Sequence, residues 1–222
     1  FVGHGDFREI YDTNIVGTLN LLQALEGLPK PPSAVLLASS ANVYGNAVVD
    51  PITEEVPPAP ANDYAVSKLA MEHAARLRAG RLPIVTVRPF NYTGVGQAPH
   101  FLLPKIVDHF RRGDRRIELG NLDVARDFSD VRDVVVIYRR LIERAPPGTL
   151  VNVCSGAAWT LSEVLALMGE IAGYRIDVTV NPAFVRANEV RRLAGDTNRL
   201  QRLTGPMERT PLPATLRWMY EA

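Results

Sequence analysis

Apolar residues recur at helical spacing from about Phe7 to Leu25, where Tyr11, Ile15, Leu19 and Leu22 share a side and Gly27 follows as a stop. The pattern then changes. Ala34-Val-Leu-Leu-Ala38 is a short apolar run bounded by turn formers, which reads as a buried strand. A Pro-rich stretch over 50–62 reads as a loop. Asn62 or Asp63 can cap a helix running to about Ala79, with Gly80 as its stop. Ile84-Val-Thr-Val87 is a second buried strand.

Beyond Thr93 the alternation is less regular. Phe101–Arg112 reads as an amphipathic helix, and Ile117–Leu119 and Val124–Phe128 as short strands. A helix over Asp130–Arg144 precedes a strand at Leu150–Val153. Thr160-Leu-Ser-Glu163 is a capping box that opens a helix reaching about Ala172. Residues 176–180 read as a strand, Asp196 caps a short helix, and the last twelve residues read as helical. Helix alternates with strand throughout, so an α/β fold with a parallel sheet is expected.

The 222 residues suffice for one large domain or a domain with a smaller appendage. Composition is ordinary for a globular protein, at 46% hydrophobic and 22% charged. No apolar run reaches the ~18 residues of a membrane span. A net charge of +1, with both signs interspersed, gives no electrostatic case for nucleic acid or a membrane surface as partner. Cys154 is the single cysteine, which excludes an intramolecular disulfide and fits a reducing cytoplasm. The chain opens Phe-Val-Gly-His with no signal peptide, and reads as one entered partway through. His4, His73, His100 and His109 show no paired ligand spacing, so no metal is expected.

The sharpest chemistry lies in Tyr64-Ala-Val-Ser-Lys68. Positions i and i+4 share a helix face, so the Lys68 ammonium can lie near the Tyr64 phenol. A nearby cation favours the phenolate and lowers its pKa; Lys68 together with an oxidised nicotinamide ring, both positive, would give a tyrosine able to exchange a proton near neutral pH. Ala38-Ser-Ser-Ala-Asn-Val-Tyr-Gly45 begins where a buried strand ends, the edge at which α/β sheets bind ligands. Ser40 there can hydrogen-bond a substrate oxygen and share its proton with Tyr64. Each piece alone is weak: Tyr-x-x-x-Lys is common, and paired serines at a strand end are usually turn chemistry. Their order and spacing carry the weight.

With these motifs the sequence resembles the extended short-chain dehydrogenase/reductases, the NAD-dependent epimerase/dehydratase group. Further motifs extend the resemblance: Asp12-Thr-Asn14-Ile-Val-Gly17-Thr18, Val87-Arg-Pro-Phe-Asn91 and Arg126-Asp-Phe-Ser-Asp-Val-Arg-Asp133. It implies a Rossmann-like doubly wound parallel sheet with a smaller C-terminal substrate lobe. Residues 1–95 with 128–157 would form a partial dinucleotide-binding domain, and 96–127 with 158–222 the nucleotide-sugar lobe. Tyr64 would be the general acid/base. Lys68 would hold the nicotinamide ribose, and Ser40 would orient the substrate. Ser39 and Pro89 would face the cofactor, NAD or NADP. Asn42, Asn91, Arg126, Arg186 and Glu189 would bind the nucleotide sugar; Arg186-Ala-Asn-Glu189-Val looks like the nucleotide-binding segment of GDP-sugar members. Plainer alternatives remain open, namely a glycosylation sequon at Asn91-Tyr-Thr93 and a surface ion-pair network for Arg126, Arg186 and Glu189.

One departure is large. No Gly-x-x-Gly-x-x-Gly precedes the first helix, so the resemblance implies that the first two βαβ units, roughly 60–80 residues, are missing. The choice between NAD and NADP goes with them. Dehydratases of the group carry an acidic residue two positions after the catalytic Ser or Thr; here it is Asn42, which cannot act as a base. Arg88–Gln97 and Gly120–Phe128 look most like the GDP-4-keto-6-deoxy-mannose reductases. Reduction of a GDP-4-ketosugar at C4 is the preferred reading, then 4-epimerisation, then 4,6-dehydration with a base elsewhere. The non-enzymatic alternative is a degenerate nucleotide-sugar-binding fragment. A homodimer through helices 7–25 and 62–79 is expected, with Leu22, Leu69, Met71 and Leu77 on its apolar face.

Overall fold

The structure, a computed structural model, describes residues 6–185 and 192–222. Three parallel strands make the first sheet, in the order β1 (Val35–Ala38), β2 (Ile84–Pro89) and β6 (Leu150–Val153). One face is covered by α2 (Gly17–Glu26) and α3 (Asp63–Arg76), where Leu22, Met71 and Ala75 pack on Val35, Leu37 and Ile84. The other is covered by α5 (Val131–Arg144) and α7 (Asn198–Thr204), where Val134, Ile137, Leu141 and Leu200 meet Val85, Val87, Val151 and Val153. Strand side chains alternate between faces, so Arg88 and Asn152 fall on the side opposite Val87 and Val153.

A second group of elements closes around another core. Here β3 (Asn91–Thr93) pairs in parallel with β5 (Ala125–Asp130), which also meets β7 (Ala158–Thr160) antiparallel and β9 (Arg192–Leu193) in parallel. Strands β4 (Arg116–Leu119) and β8 (Asp177–Val180) form a parallel pair. Helices α4 (Leu102–Arg111), α6 (Leu161–Ala172) and α8 (Leu212–Glu221) bury Ile106, Phe110, Val164, Met168 and Leu216 together. The capping box at Thr160 and Glu163 opens α6 as the sequence predicts.

Two local expectations change, and one left open is decided. The first helix is not uniform: α1 (Phe7–Tyr11) passes through a π-helical turn at Asp12–Val16 before α2. Asn14 lies in that turn and donates to Ser67 Oγ at 3.0 Å, while Ser67 donates to the Tyr64 carbonyl at 2.8 Å. Second, Asn62 caps α3 by accepting from Ala65 N–H, which frees Asp63 to accept from Tyr11 at 2.8 Å. Third, Leu22 and Met71, expected on an outward apolar face, are buried against the sheet, and Leu69 packs on the cluster around Tyr44. Both helices carry more apolar positions than one face holds, and the sheet takes these. Val16, Leu21, Val66 and Leu77 stay exposed.

Candidate active site

The carboxyl end of β1 and the first turns of α3 form the centre of the site. Beyond Ala38 the chain turns into a 3₁₀ segment at Ala41–Tyr44, capped by Ser40, whose Oγ accepts from Asn42 N–H at 3.2 Å. Gly45 ends that turn at φ 57°, where a Cβ would lie 1.9 Å from the Ala59 carbonyl oxygen, so only glycine fits. Lys68 Nζ donates to the Ala38 carbonyl at 3.0 Å and lies 5.8 Å from the Tyr64 ring centroid. Tyr64, Lys68 and Ser40 therefore converge on one strand end.

The chain's own electrostatics at Tyr64 run toward the protonated form. Burial raises the Tyr64 pKa, the nearby Ser40 hydroxyl pulls it part of the way back, and Tyr92 pushes it up again. The Lys68 ammonium donates to the Ala38 carbonyl and not to the phenol, and its own pKa is lowered by burial. The chain's own groups therefore raise the phenol's pKa; the acidified form expected of the motif calls on the positive charge of an oxidised nicotinamide as well as Lys68.

The remaining nominated residues divide. Pro89 ends β2 beside Val153, next to the strand that carries Ser40. Asn91 is exposed on β3 and donates to the Asp127 carbonyl at 3.3 Å. Arg126 lies on β5 and donates to its neighbour's carbonyl, at Ala125, at 3.0 Å. Asn42 is half-buried in the 3₁₀ turn. Ser39 departs from its expected place: its hydroxyl points inward and donates to Glu72 Oε1 at 2.5 Å, leaving only its main chain to face a cofactor. Arg186 and Glu189 lie outside the described residues.

Two features escape the sequence reading. Arg88 and Glu72 form a buried bidentate pair, with Nε to Oε1 at 2.9 Å and Nη2 to Oε2 at 2.7 Å. The available signal was an arginine inside an apolar strand and a glutamate one turn beyond Lys68. The other is Asp127, fully buried on β5, whose carboxylate accepts from Ser155 N–H and Oγ and from the N–H groups of Gly156 and Gly195. Burial raises its pKa despite these donors. We expect Asp127→Asn to cost about 1–3 kcal/mol of unfolding free energy, because an amide N–H₂ would face a backbone N–H. Urea titration of the two proteins checks this, and an unchanged midpoint would count against it. Among the described residues no group of three or more His, Cys, Asp or Glu is placed to hold a metal.

Residues 6–219 match the family described as GDP-mannose 4,6 dehydratase. The chain belongs to that family. Across the full chain it is 35% identical to a GDP-6-deoxy-D-talose 4-dehydrogenase from Aggregatibacter actinomycetemcomitans, spanning 76% of that protein. Over 86% of the chain it is 39% identical to a GDP-6-deoxy-D-mannose reductase from Pseudomonas aeruginosa, spanning 66% of it. Two solved structures share its Rossmann-like α/β fold. RMD from Pseudomonas aeruginosa, complexed with NADPH, superposes with TM-score 0.89 at 34% identity, covering 97% of this chain and 75% of that one. A protein from Burkholderia cenocepacia J2315, described as a candidate epimerase, superposes with TM-score 0.95 at 60% identity, covering 98% and 72%.

Family membership brings a nicotinamide cofactor into consideration, and the donor set suits one. The Lys68 ammonium has three protons and gives one to Ala38. The other two, with the Tyr64 hydroxyl, can meet the paired hydroxyls of a ribose. The Pro89 turn lies one strand away, at the same carboxyl edge.

Proposed function

We propose that this chain supplies the catalytic and substrate-binding residues of an NAD(P)-dependent nucleotide-sugar oxidoreductase that reduces a GDP-linked 4-keto-6-deoxy sugar at C4. One observation carries the reading: the half-buried Tyr64 phenol lies beside the Ser40 hydroxyl at the carboxyl end of β1, with Lys68 held to the Ala38 carbonyl next to it, and its pKa is raised so that it keeps a proton to give. That is the form a reductase needs. A reduced nicotinamide, when bound, would supply the hydride. Ser40 holds the C4 oxygen, and Tyr64 gives its proton to the alkoxide that forms there. Lys68 orients the cofactor ribose, and the Pro89 turn flanks the ring. Asn42, where dehydratases of the group carry an acidic residue, has no basic group to remove a C5 proton.

Substrate binding falls to Asn91 and Arg126, with Arg186 and Glu189 as further contacts. A cavity of 690 Å³, lined by Lys105, Asp108, His109, Arg112 and Phe184 among others, has an aromatic face for a nucleotide; its Arg112 is paired with Asp108 at 2.9 Å and Asp114 at 3.0 Å. We read residues 1–95 with 128–157 as the dinucleotide-binding part, and 96–127 with 158–222 as the nucleotide-sugar lobe. Separate apolar clusters around Val87 and around Phe110 support two cores, although the boundaries are crossed by Leu200 of α7, which packs on the first sheet, and by Phe128, which packs with Phe110.

The test is ketosugar-dependent NAD(P)H oxidation by the full-length gene product. Turnover with a GDP-4-keto-6-deoxy sugar supports the reading. Conversion of a hexose to its C4 epimer with no net change in nicotinamide supports the second reading, 4-epimerisation, which the resemblance to the Burkholderia protein favours. Nucleotide-sugar binding without turnover supports a binding module.

The pH dependence follows from the sign of the phenol shift. Reduction needs protonated Tyr64, whose pKa lies above its ordinary 10.0. Ketosugar reduction should therefore persist through neutral and mildly alkaline pH and fall as pH rises through that raised value. Alcohol oxidation, which needs the phenolate, should rise over the same range. A reductase rate already falling between pH 6 and 8 would contradict the assignment.

A homodimer through α2 and α3 belongs to the same proposal, as does a cytoplasmic location. No described helix is long and apolar enough to cross a membrane. Val66 and Leu77 are 40% and 80% exposed and lie eleven positions apart, three helical turns, on one face. We expect Val66→Asp with Leu77→Asp to convert a dimer to monomer by light scattering; an unaltered mass would exclude this face.

A further inference from the structure

The Glu72–Arg88 pair has no part in the chemistry above, yet it lies directly behind it. Glu72 is 3% and Arg88 2% exposed. Glu72 sits one helical turn beyond Lys68, and Arg88 immediately precedes Pro89. Both carboxylate oxygens accept from Arg88, and Oε1 also accepts from Ser39. The guanidinium lies 4.7 Å from the Tyr44 ring centroid, and Tyr44 donates to Asn152 Oδ1 at 2.7 Å. Asn152 in turn donates to the Ile52 carbonyl at 3.0 Å and, from its main chain, to Glu54 Oε1 at 2.7 Å. One buried polar chain thus joins α3, β2, β6, the end of β1 and the 3₁₀ turn.

Stability alone does not account for this pair. The attraction inside a buried ion pair barely offsets the desolvation of its two charges, and apolar side chains of similar volume often do as well or better. What apolar side chains could not do is grip Ser39. That residue is fastened twice, by its N–H to the Val87 carbonyl at 2.8 Å and by its hydroxyl to Glu72 on α3. Ser40 follows it directly, and Tyr64 and Lys68 lie on the same helix as Glu72. The carboxylate is thus a buried link, beside the bond from Lys68 to the Ala38 carbonyl, between the strand end that carries the serine and the helix that carries the acid.

We propose that Glu72 and Arg88 are positioning residues, which act through Ser39 to hold the Ser40 hydroxyl in register with Tyr64 and Lys68. The inference rests on the assignment of Tyr64 as the proton donor, and it predicts which parameters move. Displacement of a catalytic group by about 1 Å can cost on the order of 10²-fold in rate without touching substrate contacts.

The experiment compares the full-length wild type with Ser39→Ala and with the double variant Glu72→Leu/Arg88→Met. Ser39→Ala leaves the ion pair whole and removes only its grip on the strand end. The double variant removes both charges while filling the space. We expect kcat to fall roughly 10-fold in Ser39→Ala and on the order of 10²-fold in the double variant, with KM for nucleotide sugar and cofactor unchanged. The ¹³Cζ resonance of labelled Tyr64, assigned through Tyr64→Phe and read at neutral pH without substrate, should shift in both variants as the Ser40 hydroxyl moves away. A role confined to folding would lower the melting temperature and leave kcat and that resonance alone. Wild-type kcat, a loss confined to KM, or an unmoved resonance overturns the proposal; Ser39→Ala alone decides it if the double variant does not fold. If the wild type itself turns over no ketosugar, the reading of the reaction fails, and the resonance still decides the positioning role.

Discussion

Replacing Tyr64 with phenylalanine in the full-length protein should lower kcat for ketosugar reduction by about 10²–10⁴-fold, the range associated with losing a general acid. The substitution removes one oxygen and keeps the ring. Packing at the mouth of the sheet should then survive, as should the place of Lys68, which is tied to the Ala38 carbonyl and not to the phenol. Nucleotide-sugar affinity should therefore change little, and the loss should appear in kcat and kcat/KM alike. Steady-state kinetics with a binding titration checks both halves. Undiminished turnover would remove Tyr64 from the mechanism. A large rise in the dissociation constant with kcat intact would make the residue a substrate contact and no acid.

Breaking the buried ion pair from one side is the second large effect. Glu72→Leu should destabilise the protein by about 3–5 kcal/mol, because Arg88 keeps its charge and loses both carboxylate oxygens in a region closed to water. Among the described residues Arg88 Nη1 has no hydrogen-bond partner, which leaves the guanidinium chiefly the Tyr44 ring beside it. Against a typical domain stability of about 5–15 kcal/mol, such a loss is a large share of the whole. The double variant Glu72→Leu/Arg88→Met should recover most of it, since no unpaired charge is then buried. Guanidinium denaturation of the three proteins measures the difference. If the single variant is as stable as the double, the pair is not coupled in the way its geometry indicates.

The sequence by itself determined what is local or periodic. Strands at Val35–Ala38 and Ile84–Pro89 follow from apolar runs between turn formers, and the capping box at Thr160 follows from two residues three positions apart. Tyr64 and Lys68 share a face because an α-helix repeats every 3.6 residues wherever it lies. The order of motifs was enough to place the chain in its family. Tertiary structure decided which groups those side chains meet. The pairing of Arg88 with Glu72, the hold of Asp127 on Gly156 and Gly195, and the turn of Lys68 to Ala38 all join residues from 16 to 68 positions apart. No spacing rule reaches that far. The electrostatic surroundings of Tyr64 escaped the sequence for the same reason. Helical spacing supplies the nearby ammonium, but the pKa is set by burial, by Ser40 and by Tyr92, which only folding brings around the phenol. Likewise Leu22 and Met71 turned inward because a helix with apolar residues on two sides does not specify which side the sheet will cover.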